Sequence, residues 1–370
     1  MELSIPHNKK LLTFLMAILC LVQMCYAQEG ISYSYNYGKI VIHNPAISNL
    51  SAGSVNGITV NYTLPGYLGI SWRSLYNYPD LGISLNIETF NSPEITGNSY
   101  ALRGFLNFSF FKKKRVYDLG FRASTGLNYI TKKYDPIRNP LNQAIGSHIN
   151  INGEARLFAR IYAKSVYYEY SFGFNHFSNG LFKAPNLGIN VMNSNFSVGG
   201  KLLGSKIYEN PKQPVVIPFI KNEFWAFVSA GLKEIEDIHK KYTFSGLSVN
   251  YSRQVSKINK LGIGIDFSNN SSLTTLAVQL HNYSGHDNLN FRTGINIHNE
   301  FVMGNFGVFS AFGLYPGNID FYSSRVYYKT GFKYYFNNII GVILIRAIPL
   351  FRAEVIEFGV GYRFTEYKNN

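Results

Sequence analysis

Along most of the chain, apolar and polar residues alternate with a period of two, in short runs broken by turn-forming or charged segments. Successive strand residues point to opposite faces, so the pattern predicts β-strands with one apolar face. In Val116–Ile130, Leu119, Phe121, Ala123, Leu127 and Tyr129 share one face, and Gly120, Arg122, Ser124, Gly126 and Asn128 share the other. In Ser147–Ala159, Ile149, Ile151, Ala155 and Leu157 oppose His148, Asn150, Asn152, Glu154 and Arg156. The C-terminal run keeps the same rhythm, with Ile356, Phe358, Val360, Tyr362 and Phe364 set against Glu357, Gly359, Gly361 and Arg363. An apolar wall backed by a ladder of amides, acids and bases suits a membrane-spanning barrel, where lipid touches one face and the lumen the other. Glu154 and Arg156 read as rungs of that ladder rather than as catalytic groups.

Ile31–Ile42 is the first strand or an entry segment, and further strands are expected at Gly57–Leu64, Leu81–Phe90, Tyr100–Phe111, at the start of Tyr167–Asn190 and around Met192–Leu202. The second half adds Glu223–Leu232, Tyr242–Ser252, Leu261–Phe267, Leu273–His281, Leu289–Ile297, Gly304–Leu314, Ser324–Phe336 and Ile339–Ile348. The expectation is an all-β, antiparallel, up-and-down transmembrane barrel of about 14 strands, within 12 to 16, formed as one domain over residues 28–370. One domain follows because a sheet in lipid must close to remove its edges. Short turns mark the periplasmic end and long loops the outside. On that basis Lys112–Arg115 and the turn near Arg160–Tyr162 are periplasmic, and the Lys132–Gly146 loop is external.

Composition agrees. Aromatic residues make up 16% of the chain and charged residues only 15%, with 33 glycines. Lys9 and Lys10, the apolar Leu11–Val22 and the small-x-small Cys25-Tyr26-Ala27 read as a signal peptide over residues 1–27. Its core is too short to span as a helix, which takes about 20 residues. Both cysteines lie in it, so the mature chain has no disulfide, thiol nucleophile or cysteine metal ligand. Net charge is +14. In an exported aromatic-rich chain without a basic helix or nucleic-acid motif, that charge points to an anionic lipid surface and not to nucleic acid. His281, His286, Asp287 and His298 have no metal-ligand spacing, and no metal or cofactor is expected.

The stretch Tyr167–Asn190 breaks the alternation. Val166, Tyr168, Tyr170, Phe172 and Phe174 form an apolar face that His176 and Ser178 continue, and Asn190 falls on the apolar register of the following strand. A histidine and a serine two apart on a strand share a face with Cα atoms roughly 7 Å apart, within reach for a nucleophile and its base. Polar groups on a lipid-facing wall cost free energy unless paired or interfacial. Such a cluster either marks the membrane boundary or is a site at the outer-leaflet end of the wall, where lipopolysaccharide carries ester-linked acyl chains.

The segment His176-Phe-Ser178-Asn179, followed by Pro185-Asn186-Leu-Gly188, resembles the outer-membrane lipid A 3-O-deacylases of PagL type, the acyloxyacyl-hydrolase-like family. The resemblance implies His176 as general base and Ser178 as nucleophile, with Asn179 and Asn186 holding the oxyanion. It implies lipid A in the outer leaflet as the partner. The family has a glutamate twelve residues after the serine to orient the histidine; here that position is Asn190. An amide oxygen can fix a tautomer but supplies no negative charge, and a neutral third member can cost about 10⁴ in rate. The family's barrels are small and eight-stranded, which leaves the strands after residue 204 without a role. Two other readings stand beside the hydrolase: a non-catalytic barrel, pore or structural, with a degenerate site, and a secreted soluble β-protein that binds glycans.

Overall fold

The computed structural model describes residues 30–50, 53–64, 71–111, 116–163, 166–201, 220–235, 238, 240–281, 289–316, 324–349 and 352–367. The expected signal peptide, the Lys112–Arg115 tip, His286 and Asp287 lie outside them. The first eight strands are β1 (Gly30–Ile40), β2 (Val55–Leu64), β3 (Asp80–Thr89), β4 (Asn98–Ser109), β5 (Tyr117–Ile130), β6 (Ile149–Ala163), β7 (Val166–Ser178) and β8 (Ile189–Lys201). β8 pairs antiparallel with β1 from Lys201 opposite Gly30 to Val191 opposite Ile40, and the sheet closes there. A second closed barrel follows: β9 (Ile220–Glu234), β10 (Lys241–Ser256), β11 (Asn259–Asn270), β12 (Phe291–Met303), β13 (Phe306–Leu314), β14 (Val326–Phe336), β15 (Ile339–Ile348) and β16 (Arg352–Tyr367).

The expected single barrel of about 14 strands is therefore corrected to two barrels of eight. The reason lies in the lumens. An eight-stranded barrel is just narrow enough for side chains to fill its interior. The Arg103 Nη1 donates to Glu154 Oε2 at 2.6 Å, Arg156 reaches the same carboxylate, and Ser124 donates to its other oxygen. Arg122 Nη1 spans the lumen from β5 to Asn61 Oδ1 on β2 at 3.3 Å. In the second barrel Lys260 meets Glu223 at 2.8 Å, Lys333 meets Glu300 at 2.7 Å, and Arg346 Nε meets Glu357 at 2.6 Å. Buried charges are tolerated only when paired, and a wider lumen would draw apart the pairs that reach past a neighbouring strand, as Arg103 to Glu154 and Lys333 to Glu300 do.

Outside, the expected parity holds. Leu127, Phe196, Ile297 and Phe364 are 65, 61, 62 and 69% exposed, too many large apolar groups for a water-facing wall. Both barrels thus cross a membrane with their strands.

Two further expectations change. Leu273–His281 is not a strand but the helix α1 (Ser272–His281), started by Asn270, whose Oδ1 accepts from the Ser272 amide at 3.2 Å. Leu273 and Ala277, four apart, bury one side of it, a helical rather than an alternating period. The turn expected near Arg160–Tyr162 comes slightly later: β6 runs on to Ala163 and β7 begins at Val166, with Arg160 Nη2 pointing inward onto Glu169 Oε2 at 2.7 Å.

The end of the first barrel where β7 meets β8 is sealed by an apolar plug. Ile47, Leu50, Phe90, Ile130, Ala144, Ile145, Phe177, Ile189 and Val191 pack together there, and Phe90 meets Phe177 edge-on at 5.5 Å. The plug takes Phe177 inward, and alternation then places its neighbours His176 and Ser178 on the outer wall.

Candidate active site

Cross-strand pairing sets the geometry. His176 on β7 lies directly opposite Asn190 on β8, and Ser178 lies opposite Ile151 on β6. The His176 Nδ1 is 2.6 Å from Asn190 Oδ1. A carbonyl oxygen only accepts, so Nδ1 carries the proton and Nε2 keeps its lone pair, as a general base requires. Asn190 Nδ2 in turn donates to His43 Nδ1 at 3.0 Å, and His43 Nε2 donates to the Leu187 carbonyl at 2.9 Å.

Gly188 makes this corner possible. It sits at φ +77°, and a Cβ there would stand 3.0 Å from both His176 Cε1 and the Phe177 carbonyl. Glycine alone meets both demands without strain.

Ser178, though on the outward register, is only 9% exposed, because the loop from Asn179 to Leu187 folds over it. Its Oγ accepts from Asn186 Nδ2 at 2.7 Å and from the Gly180 amide at 3.1 Å. Among the described residues it makes no hydrogen bond with His176. Asn179, expected to help hold the oxyanion, has its side chain engaged elsewhere. Both its amide hydrogens are spent, on Ser147 Oγ at 2.9 Å and the Lys183 carbonyl at 2.8 Å. Its backbone N–H donates to Asn186 Oδ1 at 3.0 Å, which turns the Asn186 Nδ2 toward Ser178.

The second barrel grips the same loop. Glu234, at the end of β9, is buried and receives Lys183 of the loop at 2.8 Å and Lys241 of β10 at 3.5 Å. The Glu234 amide donates to the Leu181 carbonyl at 2.9 Å. Lys241 also donates to the Phe182 carbonyl and lies 3.7 Å from the centre of its ring. Gly180, at φ +63°, lies so near Ile356 of β16 that a Cβ would come within 2.4 Å of Cγ1. At the opposite end Tyr76 donates to the carbonyls of Ile258 and Val302 at 3.3 and 2.9 Å. Sequence reasoning does not find His43 or Gly180. His43 stands in no recognisable motif and enters only through the closure of β1 on β8, whereas Gly180 directly follows the His176–Asn179 segment and meets Ser178 two residues back.

Fold and surface together define a membrane-embedded pair of β-barrels carrying a polar cluster on the outer wall of the first. A family model described as lipid A 3-O-deacylase (PagL) matches residues 56–199, and one described as acyloxyacyl hydrolase, C-terminal domain, matches residues 222–367. The chain belongs to this family, the two matches falling one on each barrel. This places it, at family level, among the outer-membrane lipid A deacylases, a family of ester hydrolases. No curated protein matches the chain. Among solved structures, Neisserial surface protein A (NspA) is 12% identical, with a TM-score of 0.31, covering 48% of this chain and 98% of that one. CdiB from Acinetobacter baumannii is 9% identical, with a TM-score of 0.20, over 91% and 60%. A mutant porin of Rh. blastica is 8% identical, with a TM-score of 0.17, over 91% and 99%. At these scores the likenesses carry no argument; the barrels rest on their own strand pairing.

Proposed function

We propose that the protein removes an ester-linked acyl chain from lipid A, with Ser178 as nucleophile and His176 as general base. The observation that carries this is the His176–Asn190 contact at 2.6 Å, which leaves the His176 Nε2 lone pair on the same outward register as Ser178. Ser178 Oγ attacks the ester carbonyl as its proton passes to Nε2. The tetrahedral oxyanion forms beside the Asn186 amide and the Gly180 N–H, both already aimed at Oγ. Collapse returns the proton to the sugar hydroxyl and leaves an acyl-enzyme. Water, deprotonated by the same nitrogen, then releases the fatty acid. Asn179 braces Asn186 in this scheme and does not touch the oxyanion. Catalytic hydrogen bonds commonly tighten only once substrate is bound, so the open Ser178–His176 pair is compatible with the role.

The longest connection within the first barrel, residues 131–148, lies at the site end, while β6 and β7 follow one another almost directly at the opposite end, which supports an external position for the site. There the outer wall faces the leaflet that holds lipid A, and an acyl chain reaches Ser178 sideways without opening the barrel. The family description supports the 3-O-linked chain as the one removed. Mass spectrometry of lipid A from cells expressing the wild type is expected to show loss of one acyl chain, and Ser178→Ala is expected to restore the full mass. Identical spectra from both would sink the proposal.

The competing reading is a non-catalytic barrel, favoured by one observation: Ser178 is held by Asn186 and Gly180 and not by His176. Its pore form has little support, since ion-paired side chains occupy both lumens and an apolar plug closes one end of the first.

A further inference from the structure

We propose that His43 is a positioning residue that sets which way the Asn190 amide faces, so that an amide can stand where a carboxylate would need no such help. This rests on the Ser178–His176 reading above and concerns the third member of that site.

A carboxylate presents two acceptors, and either oxygen will take the His176 Nδ1 proton. An amide presents an acceptor on one side and a donor on the other. Facing His176 with its NH₂, Asn190 would favour the tautomer with the proton on Nε2, and the base would lose its lone pair toward Ser178. Something must break the two-fold ambiguity, and the contacts around Asn190 do so.

The chain of contacts ends on a backbone carbonyl, which can only accept. The Leu187 oxygen is 2.9 Å from His43 Nε2, so that nitrogen carries the proton. In the neutral ring the Nδ1 is then an acceptor, and the Asn190 Nδ2 stands 3.0 Å from it as the donor. The Asn190 Oδ1 is left facing His176 Nδ1 at 2.6 Å, and that nitrogen must hold the proton. Each bond dictates the next, from Leu187 to the free lone pair of His176. The Val41 carbonyl, 3.4 Å from His43 Nδ1, is too distant to reverse the order. His43 reaches Asn190 because β1 closes on β8, where the Val41 amide donates to the Asn190 carbonyl at 2.8 Å.

The test uses full-length protein in detergent micelles. His43→Ala is expected to lower kcat for lipid A deacylation about tenfold, the scale of one lost hydrogen bond, with KM within about twofold. His43→Gln, whose amide can accept from Asn190 and donate to Leu187, is expected to recover most of the loss. In an Asn190→Asp background, where either oxygen serves, the cost of His43→Ala is expected to shrink below about threefold. An equal loss in both backgrounds would overturn the inference, because His43 would then act on the loop and not on the amide. A second readout does not need activity: ring-¹⁵N histidine spectra are expected to show His176 protonated on Nδ1 in the wild type and a tautomer mixture in His43→Ala. An unchanged His176 tautomer in that variant overturns the inference even if the enzyme is active. An inactive wild type whose tautomer still shifts in His43→Ala would keep the inference and remove the deacylase reading.

Discussion

Each barrel brings a serine, a histidine and an asparagine together, and the better-formed trio is not the one on the lipid-facing wall. In the second, Ser252 Oγ is 2.9 Å from His298 Nε2, and His298 Nδ1 is 3.0 Å from Asn296 Oδ1, so all three are already linked. In the first, the link between Ser178 and His176 is open, and only His176 and Asn190 touch. Yet Ser252 and His298 are 1% and 4% exposed, inside a lumen filled by Trp225, Phe309 and Tyr335. Trp225 Nε1 donates to Ser252 Oγ and so ties the hydroxyl into the packing. Nothing the size of a lipid reaches it. The site on the wall faces lipid, and two donors converge on its serine where an oxyanion would form. A hydrogen-bonded triad is thus a common way to satisfy buried polar groups. Access and a place for developing charge are what the proposed site on the wall has and the trio in the lumen lacks.

The sharpest way to break this comparison is to delete each serine. Ser178→Ala is expected to reduce deacylation by more than about a thousandfold, as loss of a nucleophile does, whereas Ser252→Ala is expected to leave it within about twofold. Lipid A mass spectra of the two variants decide; a reversed result would move the site into the second lumen. Next in size is the shared device of both barrels, the buried ion pairs. Removing one partner of such a pair costs about 3–5 kcal/mol. Glu154→Ala in the first barrel and Glu300→Ala in the second are each expected to lower resistance to urea in lipid vesicles by that much. Equal behaviour would support two separately closed lumens.

Gly188→Ala comes next, because the added Cβ meets the His176 ring and the backbone needs a positive φ. A loss of kcat of about tenfold to a hundredfold is expected, from about 1–3 kcal/mol of strain, with the barrel still assembling on heat-modifiability gels. The smallest effect concerns the second barrel's hold on the loop. Glu234→Gln leaves Lys183 and Lys241 without their carboxylate. It is expected to reduce kcat/KM by about threefold to tenfold, since a partly exposed ion pair contributes little on its own. No change at all would mean that the second barrel does not support the site.

Alternation is legible from the residues. The outward aromatics, the inward ladder of Asn150, Asn152, Glu154 and Arg156, and the misplaced polarity of His176, Ser178 and Asn190 all follow from residue order alone. Each depends on a period of two within one strand, a local property. The helix at Ser272–His281 escapes such a reading because a ten-residue, largely apolar run contains both periods, and burial of Leu273 with Ala277 decides between them. The number of barrels is not legible at all. The closing partner of β1 lies far along the chain, as Tyr33 opposite Val198 illustrates, and alternation is the same whether a sheet closes early or late.

That one non-local choice explains the other omissions. In a single wide barrel β1 would lie beside the last strand, and His43 would be far from Asn190. Closure at eight strands puts His43 on Asn190 and leaves a second barrel free to hold the loop through Glu234. The sequence by itself determined that the chain makes lipid-facing strands and carries a serine and a histidine on one outward register, because side-chain direction follows from position in a strand. Only the tertiary structure decided which groups orient that histidine and cover that serine, because those depend on where the sheets close and on what then lies beside them.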